Sequence, residues 1–184
     1  MKKFATATLV LLAAAWIVTA RPSATHEQPA EPTKAVCVMQ PFGDSKVSGV
    51  VTFTVQGGEV EVTGQITGLT PGPHGFHVHE FGDITSSKDG LSTGGHFNPE
   101  GKKHGGPHAA ERHVGDLGNV TADDKGVVNL NMKDKMIKLS GPNSIVGRGL
   151  IIHAKADDEK TQPTGDAGGR VAGGVIGVAA PPKK

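Results

Sequence analysis

The sequence predicts an all-β domain, an eight-stranded Greek-key β-barrel or sandwich with two long functional loops. Three observations point there. From Lys34 onward, short segments rich in valine, isoleucine and threonine alternate with turns containing glycine and proline. No part of that region carries a long helical period. Two segments, 81–116 and 154–170, interrupt the strand pattern with glycine-rich sequence, and long connections of this kind inside a compact domain are usually functional.

The first strand is expected over 35–39. Residues 47–56 and 59–65 alternate in period two around Gly57-Gly58, which reads as a hairpin turn. A fourth strand is expected over 74–80, ahead of the first long loop. Strands resume at 117–121, 126–132 and 145–153, and the last, 171–179, follows the second loop.

Outside this domain the chain reads differently. Lys2 and Lys3 precede an apolar run from Phe4 to Ala20 that ends in Val18-Thr19-Ala20, the pattern of a signal peptide over 1–20. Export to a periplasm or the extracellular medium is therefore expected, with an uncleaved anchor as the other reading of the same run. Residues 21–33 hold three prolines and no hydrophobic period, as a flexible leader would. The folded domain is expected over 34–180, with a short tail at 181–184. Lys and Arg number 19 against 18 Asp and Glu, so nothing suggests a nucleic-acid partner, and no membrane association is expected once the signal is removed. Cys37 is the only cysteine, so no intrachain disulfide can form.

Nine histidines invite a metal reading, and their spacing decides how far it goes. His77 and His79 are two apart on an expected strand, so their side chains leave the same face. His96, His104, His113 and Asp116 fall in or at the end of the glycine-rich loop, and three imidazoles with one carboxylate form a tetrahedral set suited to zinc. His153 ends the apolar run Leu150-Ile151-Ile152 and returns beside the first pair if the barrel closes; three or four imidazoles suit copper. His26, His74 and His108 are left out as ligands. His74 is expected to be a hydrogen-bonded structural residue.

Gly75-Phe76-His77-Val78-His79-Glu80-Phe81-Gly82-Asp83, His96-Phe97-Asn98-Pro99, His104-Gly105-Gly106-Pro107 and Arg112-His113-Val114-Gly115-Asp116-Leu117-Gly118-Asn119 closely resemble the Cu,Zn superoxide dismutases. The resemblance runs in collinear order over 34–180. It implies copper on His77, His79, His96 and His153, and zinc on His96, His104, His113 and Asp116, with His96 bridging the two. It implies that superoxide anion is converted to dioxygen and hydrogen peroxide as copper alternates between oxidation states, and that His96 stores a proton. Arg170 matches the cation that docks superoxide beside copper. Asp157 matches a carboxylate that links a copper histidine, His77, to a zinc histidine, His104. A homodimer is implied through Phe81-Gly82, 145–148 and 175–178. Copper could arrive spontaneously or from a copper chaperone.

The sequence also departs from the family. The disulfide that pins the first long loop to the barrel is absent, with Gly90 and Gly173 at the aligned positions, and Cys37 matches a separate buried thiol. The second loop is shorter than in typical eukaryotic members and keeps only Glu159, Lys160 and Asp166 of its charged stretch. Other readings are an exported copper- and zinc-binding protein without turnover, a copper-only relative and a purely structural β-domain. The intact His96 and Arg170 argue against the first, the intact His104, His113 and Asp116 against the second, and the full collinear ligand set against the third.

Overall fold

The computed structural model describes residues 30–180. The expected signal peptide, nearly all of the leader and the tail lie outside the described residues. Within them the strands are β1 (Lys34–Pro41), β2 (Ser48–Gln56), β3 (Glu59–Thr67), β4 (Gly72–His79), β5 (Asp116–Ala122), β6 (Val128–Asp134), β7 (Gly149–His153) and β8 (Arg170–Val178). Among the described residues no helix is long and apolar enough to cross a membrane.

All pairings are antiparallel, in the order β5-β4-β7-β8-β1-β2-β3-β6. The β3–β4 and β6–β7 connections cross from one half of this order to the other, which makes the topology Greek-key. The two terminal strands of the order, β5 and β6, are consecutive in the chain. Asp123 joins them tightly, its carboxylate accepting from the Lys125 and Val127 amides at 2.8 and 2.9 Å, so the barrel is nearly closed. At the β2–β3 hairpin, Gly57 and Gly58 take φ of 60° and 86°, and Gln56 pairs with Glu59. Two positive φ values in succession are what a twisted two-residue turn needs, and glycine adopts them without strain.

Period-two alternation sends Phe53, Phe76, Val78, Leu150, Ile152 and Ile176 into the barrel, where burial of apolar surface holds the fold. The opposite parity matters more for function. On β4 and β7 the outward residues His77, His79, Ile151 and His153 are also buried, because the two long loops lie over that face. This double burial explains why β7 reads as a continuous apolar run rather than an alternating one. Cys37 on β1 is a free thiol in the core, and burial pushes its pKa up to about 12.

One expected strand is shorter than its sequence suggests. Residues 145–148 form a turn, not the start of β7: the Arg148 amide donates to Ile145 O at 3.1 Å, and Gly147 has φ of 83°, which ends any extended run there. Ile145 is fully buried, so that part of the expected dimer surface belongs to the core. The first long connection contains a single 3-10 turn, Leu91–Thr93, that the composition did not signal.

Candidate metal centre

Six histidines and one aspartate from three strands and a loop converge on the outer face of β4 and β7. His77 and His79 come from β4, His153 from the end of β7 and Asp116 from the start of β5, while His96, His104 and His113 come from the loop between. Register shifts help to aim them. One falls between Gly75 and His77 where β4 meets β5, another between Ile152 and His153 where β7 meets β8, and such irregularities redirect side chains. The second shift sets His153 opposite Arg170. The loop is drawn in by a bridge between His79 and His96 and by Phe97, whose amide donates to Val78 O at 2.8 Å.

The donors fall into two groups. His77, His79, His96 and His153 offer nitrogens within 4.8 Å of one another, and so do the donor atoms of His96, His104, His113 and Asp116. His96 belongs to both, and its ring lies 4.0 Å from that of His77 and 5.3 Å from that of His104. All seven residues are buried.

Four of the rings, those of His77, His79, His104 and His153, have a braced outer side and an inward side. His77 Nε2–H donates to Asp157 Oδ2 at 2.7 Å and His104 Nε2–H to Asp157 Oδ1 at 3.0 Å. His79 Nδ1–H donates to Gly94 O and His153 Nδ1–H to Gly168 O, both at 3.0 Å. What remains is decisive for the fit to a metal: Nδ1 of His77, His104 and His113, and Nε2 of His79, His96 and His153, are buried without any hydrogen-bond partner. A buried nitrogen with no partner is strongly disfavoured. Six of them aimed into two small spaces fit two cations held by neutral imidazoles, with outer hydrogen bonds fixing the tautomers of His77, His79, His104 and His153. At the second group, His96 Nδ1 meets Asp116 Oδ1 at 2.7 Å, while His104 Nδ1 and His113 Nδ1 approach the same oxygen at 3.0 and 3.3 Å without pointing an N–H at it. The other oxygen, Oδ2, accepts from the Gly105 and His113 amides at 3.1 and 2.8 Å.

Charge states follow from these surroundings. Burial, with neighbouring imidazoles, lowers His96 to about 4 and His153 to about 3, and pushes His79 well below its ordinary value. Those rings are neutral at pH 7, the form that ligates metal. Burial would also lower His104, but Asp116 and Asp157 outweigh it and raise His104 to about 9. Burial would raise both carboxyls, yet the imidazoles facing Asp116, and His104 and His77 facing Asp157, hold them well below the carboxylate range.

A model of the copper/zinc superoxide dismutase family matches residues 47–176. The chain belongs to that family. A solved structure titled as that of the clock protein EA4 is 48% identical to it, covering 84% of this chain and 99% of the other with a TM-score of 0.77. The family carries copper and zinc, and the two donor groups described above are where this member can hold them.

Arg170 lies at the mouth of a cavity of about 330 Å3 whose walls include His79, His96, His153, Lys88 and Asp89. Its guanidinium is gripped by neutral oxygens: Nη1 donates to Gly90 O at 2.6 Å and Thr93 Oγ1 at 2.8 Å, and Nη2 to Gly94 O at 2.7 Å. The structure thus brings together the seven candidate ligands with Asp157 and Arg170. His74 stays outside both groups, its ring nitrogens on His153 O at 2.7 Å and Thr70 O at 2.8 Å, and His108 is exposed in the loop. His26 lies outside the described residues. Sequence reasoning found Asp157 but missed the other bracing partners. Gly94 O and Gly168 O are main-chain atoms with no sequence signal, and Asn119 exchanges hydrogen bonds of 2.7 and 2.9 Å with the Asp157 backbone, a pairing that nothing in its motif signals.

Proposed function

We propose that this protein is a secreted superoxide dismutase, acting on superoxide anion through a copper bound by His77, His79, His96 and His153 beside a zinc bound by His96, His104, His113 and Asp116. The observation that carries the reading is His96, a single imidazole with one nitrogen in each donor group. Copper, when bound, supplies one-electron redox chemistry, and zinc supplies a fixed charge without redox activity.

The chain's own residues do the rest. Arg170 docks the substrate anion, its charge left for a ligand because its three protein partners are neutral. His96 Nε2 holds a proton between half-reactions and gives it to the reduced oxygen product. The sum is two superoxide anions and two protons forming dioxygen and hydrogen peroxide. Asp157 and Asp116 keep the rings in the orientation this demands. The loops bury every ligand, and the cavity lined by Arg170 also reaches His79, His96 and His153.

Superoxide consumption by the purified mature protein tests the reading, measured metal-loaded, stripped and as a His96→Ala variant, with metals counted in each. Turnover that needs copper and collapses in the variant is expected. Full copper and zinc content without turnover would refute it and favour a metal-binding protein instead. Export through residues 1–20 and assembly as a symmetric homodimer belong to the same proposal. Phe81 and Val175 are 51% and 39% exposed, and Gly82 lies against Gly147 and Val175, an apolar face suited to a second copy. Sedimentation of the parent as a monomer, indistinguishable from a Phe81→Glu variant, would remove the dimer.

A further inference from the structure

We infer that Phe42 is a positioning residue for Arg170, an aromatic wedge that pins the first long loop to the barrel. The inference rests on the reading of Arg170 as the anion-docking group. Phe42 follows β1 directly and is 5% exposed. Its ring lies between two glycines, Gly90 in the long loop and Gly173 on β8. A Cβ at Gly90 would come within 2.6 Å of Phe42 Cε2, and one at Gly173 within 2.9 Å of the same atom. Neither position could carry even a methyl group while the ring stays in place. The two glycines therefore form one slot, and Phe42 fills it.

The neighbouring backbone completes the clamp. The Phe42 amide donates to Val171 O at 3.0 Å, fixing the residue to β8, and the Gly43 amide donates to Ser87 O at 2.9 Å, fixing it to the loop. The loop segment so held presents the atoms that grip Arg170. Gly90 O, against whose residue the ring rests, accepts from Arg170 Nη1 at 2.6 Å and from the Thr93 amide at 3.1 Å. Thr93 Oγ1 and Gly94 O supply the other two contacts. The path from Phe42 to the guanidinium is thus one residue long. The contact is apolar packing, so it has no dependence on the redox state of any thiol.

Three variants decide the matter, all loaded to the metal content of the parent: Phe42→Leu, Phe42→Ala and Arg170→Ala, with the double variant Phe42→Ala/Arg170→Ala. The first readout is azide affinity, followed in the visible absorption of the copper-loaded protein, because azide is an anion that needs no turnover. The second is amide exchange at Thr93 and Gly94 in the metal-free protein. Phe42→Ala should weaken azide binding by about tenfold, since displacement of a docking group by an ångström or so has effects of that order or more. Phe42→Leu should give a smaller loss, and both should speed exchange at Thr93 and Gly94. The double variant should bind azide no more weakly than Arg170→Ala alone, because a residue acting through Arg170 adds nothing once Arg170 is gone. Phe42→Leu with parental azide affinity and parental exchange, and only a lower Tm, would overturn the inference. An Arg170→Ala variant that binds azide like the parent would instead overturn the docking role of Arg170, and unchanged exchange in Phe42→Leu would then still reject the wedge.

Discussion

Asp157 gives the sharpest prediction, because one carboxylate braces a ligand in each donor group. Its Oδ2 accepts from His77 and its Oδ1 from His104, and Oδ1 also takes the Glu159 amide at 2.6 Å. The residue is buried, and Gly165 passes so close that a Cβ there would meet Oδ1 at 1.8 Å. Replacing Asp157 by Ala leaves two ring N–H groups without acceptors, and a lost partner of a metal-binding histidine typically lowers affinity by ~10- to 100-fold. Because both groups lose one such partner, copper and zinc affinity should fall together, each by roughly 1.4 to 2.7 kcal/mol of binding free energy. Asp157→Asn should fall between, since its amide keeps one acceptor but turns a donor toward the other ring. Competition against a chelator, one metal at a time, measures both. A loss confined to zinc, with copper affinity at the parental value, would refute the claim that His77 depends on this carboxylate.

Three further outcomes are expected. Arg112 is buried with its guanidinium on Asp134 and on the carbonyls of His113, Val114 and Asp116, the last at 2.7 Å, so Arg112→Ala should destabilise the metal-free fold by about 3–5 kcal/mol in urea unfolding, and a loss under 1 kcal/mol would contradict this. The depressed His79, His96 and His153 bind protons more readily when unfolded, so metal-free stability should fall as pH drops from 6.5 toward 4. The raised His104 acts oppositely, adding stability below 6.5 that disappears toward pH 9, and a urea midpoint flat between pH 7 and 5 would sink this account. Finally, Lys88 and Asp89 of opposite charge line the cavity with Arg170 and the second loop is short, so turnover should depend less on ionic strength than in long-loop relatives, for which steering of superoxide is a known case. A slope as steep as theirs would count against it.

Much of this was legible before any coordinates. Eight strands, the Gly57-Gly58 hairpin and both long loops follow from alternation and glycine placement, because one-sided burial writes period two into the sequence. The donors were legible because metal chemistry restricts residue type, and His77 and His79 share strand parity. The failures have physical causes. Ile145 and Val146 look like strand but enter a turn at Gly147, a matter of one φ angle. Asp157-Asp158 reads as a solvated pair by itself; Asp158 is one, capping the Lys160 and Thr161 amides, while Asp157 is buried, and only the resemblance told them apart. Phe42 carried no signal, since its importance lies in two distant glycines.

The buried thiol of Cys37 has a consequence for how such a chain matures. With its pKa near 12 and no second cysteine to pair with, it neither traps a wrong linkage nor waits for a right one. The domain over 34–180 needs no disulfide oxidant or disulfide isomerase, in a reducing cytosol or an oxidising vessel alike. That domain made in a bacterial cytoplasm should therefore match exported material in its cysteine chemistry, and differ only in the ions it has met.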